Sequence, residues 1–69
     1  MKHEVHSTSI KSIEETGRGS MIVEFHNRGK YEFFDVPLDT INEFVNASSV
    51  GRYFNEFIRG KFREEARQS

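Results

Sequence analysis

The stretch from Thr16 to Phe34 leaves this chain little freedom. Two glycine-bearing turns, Thr16-Gly17-Arg18-Gly19-Ser20 and His26-Asn27-Arg28-Gly29-Lys30, bracket a run that alternates, Met21-Ile22-Val23-Glu24-Phe25-His26. Glycine reaches the positive φ that hairpin loops need, and Asn-x-Gly suits a short loop with a bulge. Met21, Val23 and Phe25 therefore share one face of a strand. After the second turn, Tyr31 and Phe33 share a face, and Glu32 and Phe34 the other. Folding the hairpin about Arg28 sets Phe25 opposite Tyr31 and Val23 opposite Phe33. Facing cross-strand residues lie on the same side of a sheet. The expected core stripe is Met21, Val23, Phe25, Tyr31 and Phe33. The other side carries Ile22, Glu24, His26, Glu32 and Phe34.

The flanking segments complete an α+β expectation. Ile10 and Ile13 lie on opposite faces of an unbroken strand, so a bulge near Lys11-Ser12 is needed to bring both to the core. Pro37 ends the sheet and suits a helix start. Leu38, Ile41, Phe44 and Val45 follow helical spacing, with Asp39 or Thr40 in the first turn. Ser48 or Ser49 then caps a second helix, in which Phe54, Ile58 and Phe62 repeat every four residues, flanked by Tyr53 and Phe57. Gly60 weakens that helix by about 1 kcal/mol relative to alanine. The predicted fold is a three-stranded antiparallel meander (5–15, 20–27, 30–35) followed by two helices (38–46, 49–63) packed on one sheet face. Residues 1–69 form one domain, with a core over about 5–62 and a frayed tail over 64–69.

Composition explains how so short a chain can hold a core. It has no cysteine, so no disulfide or thiolate metal site reinforces it. A core of this size supplies only about 3–5 kcal/mol. Seven Phe and two Tyr are the available compensation, because large rings bury much apolar area per residue. The polar start and the lack of a long apolar run point to a cytoplasmic protein with no membrane contact. A net charge of −1 gives no overall field for nucleic acid. The charge is uneven, however. Residues 1–50 hold five Lys/Arg against eight Asp/Glu, and residues 51–69 hold five against three, so an anion-facing surface is expected toward the C-terminal end.

The order of features resembles a known family. Ser7-x-Ser9-Ile10, the strand ending in Phe25, Tyr31-Glu32-Phe33, Val36-Pro37, and Ala47-Ser48-x-x-Gly51-x-Tyr53-Phe54-Asn55-x-x-Ile58 together look like the KTSC domain. That domain occurs at the C-terminus of some lysyl-tRNA synthetases and as stand-alone bacterial or phage proteins. The resemblance covers about residues 5–62. The family favours Tyr-x-Tyr where this chain has Tyr31-Glu32-Phe33, which argues for packing at Phe33. The resemblance implies RNA binding only by association with the synthetase-linked copies, and it supplies no site residue.

The remaining motifs are weighed against structural explanations. Tyr31 and Phe33 could form a base-stacking platform, but their hairpin pairing favours core. Arg52, Arg59, Lys61 and Arg63, with Arg67 beyond and Lys30 as an outlier, are the cations that could meet phosphates. The competing explanation is a solvated helix face, with Arg59 and Arg63 one turn apart. His3 and His6 diverge on a strand, so they and His26 do not suggest a metal, and no cofactor is implied. Ser7, Thr8, Ser9, Ser48 and Ser49 lack a base held by a third group, and Gly17, Gly19 and Gly29 lack the Lys-Ser/Thr of a phosphate loop. Gly51 is assigned to a close approach. Asn55, awkward in mid-helix, is assigned to a tie with a neighbouring backbone such as the Pro37 junction. The chain is expected to be no enzyme but a small binding or interaction module, with a protein or a second copy as partner. An accessory RNA-binding domain is the alternative. The expectation of a homodimer rests on a sheet face and edges left bare.

Overall fold

A computed structural model describes residues 1–67. The chain is α+β, as expected, but its antiparallel sheet has five strands rather than three, in the order β1 to β5. They are β1 (Lys2–Glu4), β2 (Ile10–Glu15), β3 (Ser20–Phe25), β4 (Gly29–Phe34) and β5 (Glu64–Arg67). Helix α1 spans Leu38–Val45. Helix α2 spans Val50–Tyr53 and runs directly into a π-helical turn, Phe54–Ile58.

Both extra strands come from segments read differently in the sequence. The strand expected over 5–15 is confined to Ile10–Glu15, and the extra strand β1 lies ahead of it at Lys2–Glu4; between them the Ser7 hydroxyl accepts from the backbone N–H groups of Ser9 (3.1 Å) and Ile10 (3.2 Å) and bends the chain. The expected frayed tail is in part β5, which pairs Glu64 with Phe33 and Arg67 with Lys30; Gln68 and Ser69 lie outside the described residues. The second helix stops at Ile58, short of the predicted 63. Gly60 takes φ +73°, the left-handed conformation that terminates helices, and the chain turns there toward the edge of β4. The Arg63 carbonyl then accepts from Phe34 N–H at 2.9 Å.

The bulge expected near Lys11 is present: the β2–β3 register shifts between Ile10 and Ser12, so Ile10 faces Phe25 and Ile13 faces Val23 on the same side. The second hairpin pairs Val23 with Tyr31, Met21 with Phe33 and Phe25 with Gly29. This register differs by two residues from that predicted, because Gly29, at φ +77°, already belongs to the strand and the loop centres on Asn27. A shift of two preserves the face, so the core stripe survives. Met21, Val23, Phe25 and Phe33 are buried and Tyr31 is half-buried.

The helices lay Ile41, Phe44, Val50, Phe54 and Ile58 on that stripe. Phe54 is the hub of the aromatic core. Its ring meets Phe25 at 5.2 Å and Phe33 at 5.7 Å, both edge-to-face, and Phe44 at 6.3 Å. Leu38, expected inward, opens α1 and stays exposed. No side chain caps that helix at Pro37.

Candidate functional site

The predicted site residues do not gather in one place. Ser49, rather than Ser48, caps α2: its hydroxyl accepts from Arg52 N–H at 3.2 Å. Ser48 is exposed. Gly51 makes the expected close approach, though its neighbour is the loop between β1 and β2. A Cβ there would sit 3.2 Å from the Ser9 hydroxyl and 3.7 Å from that of Ser7. His26 closes the same corner by donating from Nε2 to the Ser7 carbonyl at 3.0 Å, and its own N–H bonds the Ser9 carbonyl. The Ser7-x-Ser9 and Gly51 motifs are thus two halves of one contact. Asn55 does not do what was assigned to it. It is exposed, and its amide makes no hydrogen bond among the described residues.

The expected row of cations does not exist as a row. Arg59 already has extended backbone at the end of the π-helical turn, and Lys61 lies in the turn that follows. Arg63 has passed to the other side of the sheet, where its guanidinium stacks on Phe34 at 4.0 Å and pairs with Glu65 at 3.0 Å. Arg59 and Arg63 therefore share no helix face. Lys30 lies on β4 opposite Glu24.

That far side holds the feature the sequence reading missed. Glu32 is buried, with 3% of its side chain exposed, although it points away from the helices. Its carboxylate accepts from the Ser20 hydroxyl at 2.6 Å, from Arg67 Nε at 2.7 Å and from Arg18 Nη2 at 3.4 Å, and Arg67 Nη2 also pairs with it. Thr16 Oγ1 lies 2.7 Å from the Ser20 hydroxyl and extends the network. The Ser20 hydrogen bond, followed by the Arg67 and Arg18 contacts, holds the Glu32 carboxyl below its usual pKa against the opposing effect of burial. Alternation read Glu32 as solvent-facing. The available signal was the matching alternation Glu65-x-Arg67 in the tail, which places a cation beside Glu32 once that segment is a strand.

On the helical side, two shallow depressions meet at Ala47 and Ser48. One, of about 170 Å³, is lined by Ala47, Ser49, Arg52, Tyr53, Glu56 and Phe57. The other, of about 320 Å³, is lined by Val5, His6, Val45 and Val50 among others. Phe57 stands at the first with 54% of its surface exposed, packed on Tyr53 at 4.7 Å. Tyr53 in turn stacks on Phe44 and donates its hydroxyl to Glu43 at 3.0 Å. Burial first, and then Glu43, push the Tyr53 phenol pKa upward. Phe57 is therefore presented on a fixed aromatic ledge.

A five-stranded meander closed on one side by a short helix pair, with serine loops packed on a helical glycine, defines a small α+β domain of a recognisable kind. The chain belongs to the KTSC domain family, whose model matches residues 6–62. Its fold is that of a KTSC domain protein from Yersinia pestis solved by crystallography, with a TM-score of 0.92, 29% identity, and coverage of 99% of this chain and 97% of that one. Curated relatives are lysine–tRNA ligases of Trichormus variabilis (46% identical over 46 residues) and of a Nostoc species (44% over 46 residues). The match takes in 67% of this chain, which spans about 8% of the length of those ligases.

No helix among the described residues is long and apolar enough to cross a membrane. Among those residues no group of three or more His, Asp or Glu could hold a metal ion. His6 is exposed in the loop after β1, and His3 lies on β1 opposite Ile13.

Proposed function

We propose that this domain is a non-catalytic binding module that meets another protein through the ledge formed by Tyr53 and Phe57. The observation that carries this reading is the half-exposed Phe57 ring at the mouth of a depression, in a chain whose other phenylalanines are buried or half-buried. An exposed aromatic held rigid by its neighbours loses little conformational entropy on binding, and a mixed-charge rim is the usual surround of a protein contact. Arg52 and Glu56 provide that rim, and Glu43 lies beside Tyr53. These carboxylates disfavour phosphate at the same spot. A non-catalytic role is supported by the use of the serines: Ser7 bends a loop and Ser49 caps a helix.

Self-association is a weaker form of the same reading. The far face is partly covered by Arg63 and Arg67 lying over Phe34 and by the closed Glu32 network. The edge strands β1 and β5 are short and charged, as edges that resist pairing are. The test is a pull-down from host lysate in which RNA and protein are both identified, run with wild type and F57S. A protein recovered by wild type and lost by F57S is the expected result. A protein partner captured equally by both overturns the ledge.

An accessory RNA-binding role is the second reading. It is favoured by the lysine–tRNA ligases among the relatives, enzymes named for an RNA substrate. It requires a different surface from the ledge.

A further inference from the structure

The two depressions on the helical side share Ala47 and Ser48, so they form one groove from the Phe57 ring to the loop after β1. Its floor is apolar. Val5, Val45, Ala47 and Tyr53 are half-buried and pack on the core, and Val50 is buried. A site of about 150 Å³ with apolar walls holds a benzene ring, so each depression has room for one large side chain. The rim is charged, mostly with one sign. Glu4 and Glu56 line the groove, and Glu43 borders it through the hydrogen bond from Tyr53. All three are exposed, and none is in an ion pair among the described residues. Arg52 is the one Lys or Arg among the lining residues, and His6 lines the second depression. Lys11 lies opposite Val5 on β2 and Arg59 follows Phe57 by two residues, but neither lines the groove. Segment 31–51, which supplies α1 and the Ala47–Ser48 saddle, contains no Lys or Arg. Asp39 stands one turn before Glu43, so the acidic wall continues along α1.

We infer that this groove docks a linear basic segment of another protein, in which two large apolar side chains are flanked by Lys or Arg. The inference rests on the ledge reading above and names the chemistry of its partner. Charge complementarity carries it. A groove with two side-chain depressions is filled by a segment that presents one anchor to each. The anchors lie on either side of the Ala47–Ser48 saddle. The cations of the segment meet Glu43 and Glu56 toward the ledge and Glu4 toward β1. Arg52 is the opposing charge, and three carboxylates outweigh it. The same carboxylates repel an acidic segment, which makes the groove selective as well as attractive.

The test is a displayed library of random peptides selected on the whole chain. Recovered peptides are then measured by fluorescence anisotropy against wild type, F57S, S48R and E4K/E56K. They should be enriched in Lys or Arg and carry two large apolar residues. F57S and S48R should abolish their binding, the first by removing the ledge and the second by filling the saddle. E4K/E56K should weaken it about tenfold or more and reduce its dependence on salt, because the attraction comes from rim charges. Glu4, Ser48 and Glu56 are exposed, so these variants should melt as wild type does. If E4K/E56K melts early, the neutral pair E4Q/E56Q carries the charge test. Peptides that lack basic residues yet are lost with F57S overturn this inference and keep the ledge. Basic peptides indifferent to both F57S and S48R overturn the inference and the ledge together. A library that yields no peptide for wild type overturns the inference, while the pull-down above still decides the ledge.

Discussion

The two faces of the sheet are closed by opposite means. On one, Ile13, Met21, Val23, Phe25 and Phe33 lie under two helices, and the contact is apolar and aromatic. On the other, a single carboxylate, Glu32, is buried among Ser20, Arg18 and Arg67, with two guanidinium groups over Phe34. The first solution needs volume, and the helices supply it. The second needs only one short strand, β5, placed so that a cation reaches a carboxylate and the cationic side chains cover a ring. A chain of 69 residues has too little sequence for a second helical layer, so charge does what packing cannot. The apolar closure depends on which face a residue takes, and a register shift of two residues keeps that face. The polar closure is not, because hydrogen bonds fix distance and direction.

The difference can be tested from each side. The largest effect is expected at the hub of the apolar face. Phe54→Ala should cost about 3–5 kcal/mol, comparable with the whole stability of a domain this small, so the variant should be unfolded by circular dichroism at room temperature. On the polar face, Glu32→Gln should cost about 1–3 kcal/mol in urea unfolding, as a buried charged acceptor loses its ionic partners. This second effect should also depend on pH. The folded-state pKa of Glu32 is depressed, so the folded state binds fewer protons than the unfolded state across that interval. Its contribution is full above the ordinary value of 4.5 and is lost as pH falls through the folded pKa. The stability gap between wild type and E32Q should therefore close in acid. At the Ser49 cap the expected loss is smaller, about 1 kcal/mol for Ser49→Ala, with Ser48→Ala near zero. At the ledge, F57S should cost no more than about 1 kcal/mol, because the ring is half exposed and loses only its packing on Tyr53, while removing partner binding.

What the sequence disclosed follows the same division. Alternation and helical spacing report apolar burial, so the core stripe, the bulge near Lys11 and the hub at Phe54 were legible. Alternation is blind to a buried polar residue, and Glu32 read as solvent-facing for that reason. β5 was missed because Glu64-Glu65-Ala66-Arg67 is polar throughout and its strand is made by the edge of β4 rather than by its own propensity. In the sequence Gly60 reads as a mild defect inside a longer helix. Its left-handed backbone is what redirects the chain. For the candidate site, spacing placed Arg59 and Arg63 on one helix face, an inference that failed with the helix itself.

The account stands most directly on the claim that Glu32 and Arg67 act as one unit holding β5 to the sheet. A double-mutant cycle measures this: wild type, E32Q, R67Q and E32Q/R67Q, each unfolded in urea at neutral pH. The account predicts that the double variant loses less than the sum of the two single losses, by about 1 kcal/mol or more, because the second substitution removes a partner already lost. Additive losses would contradict it and would mean that the far face is closed by something other than this pair.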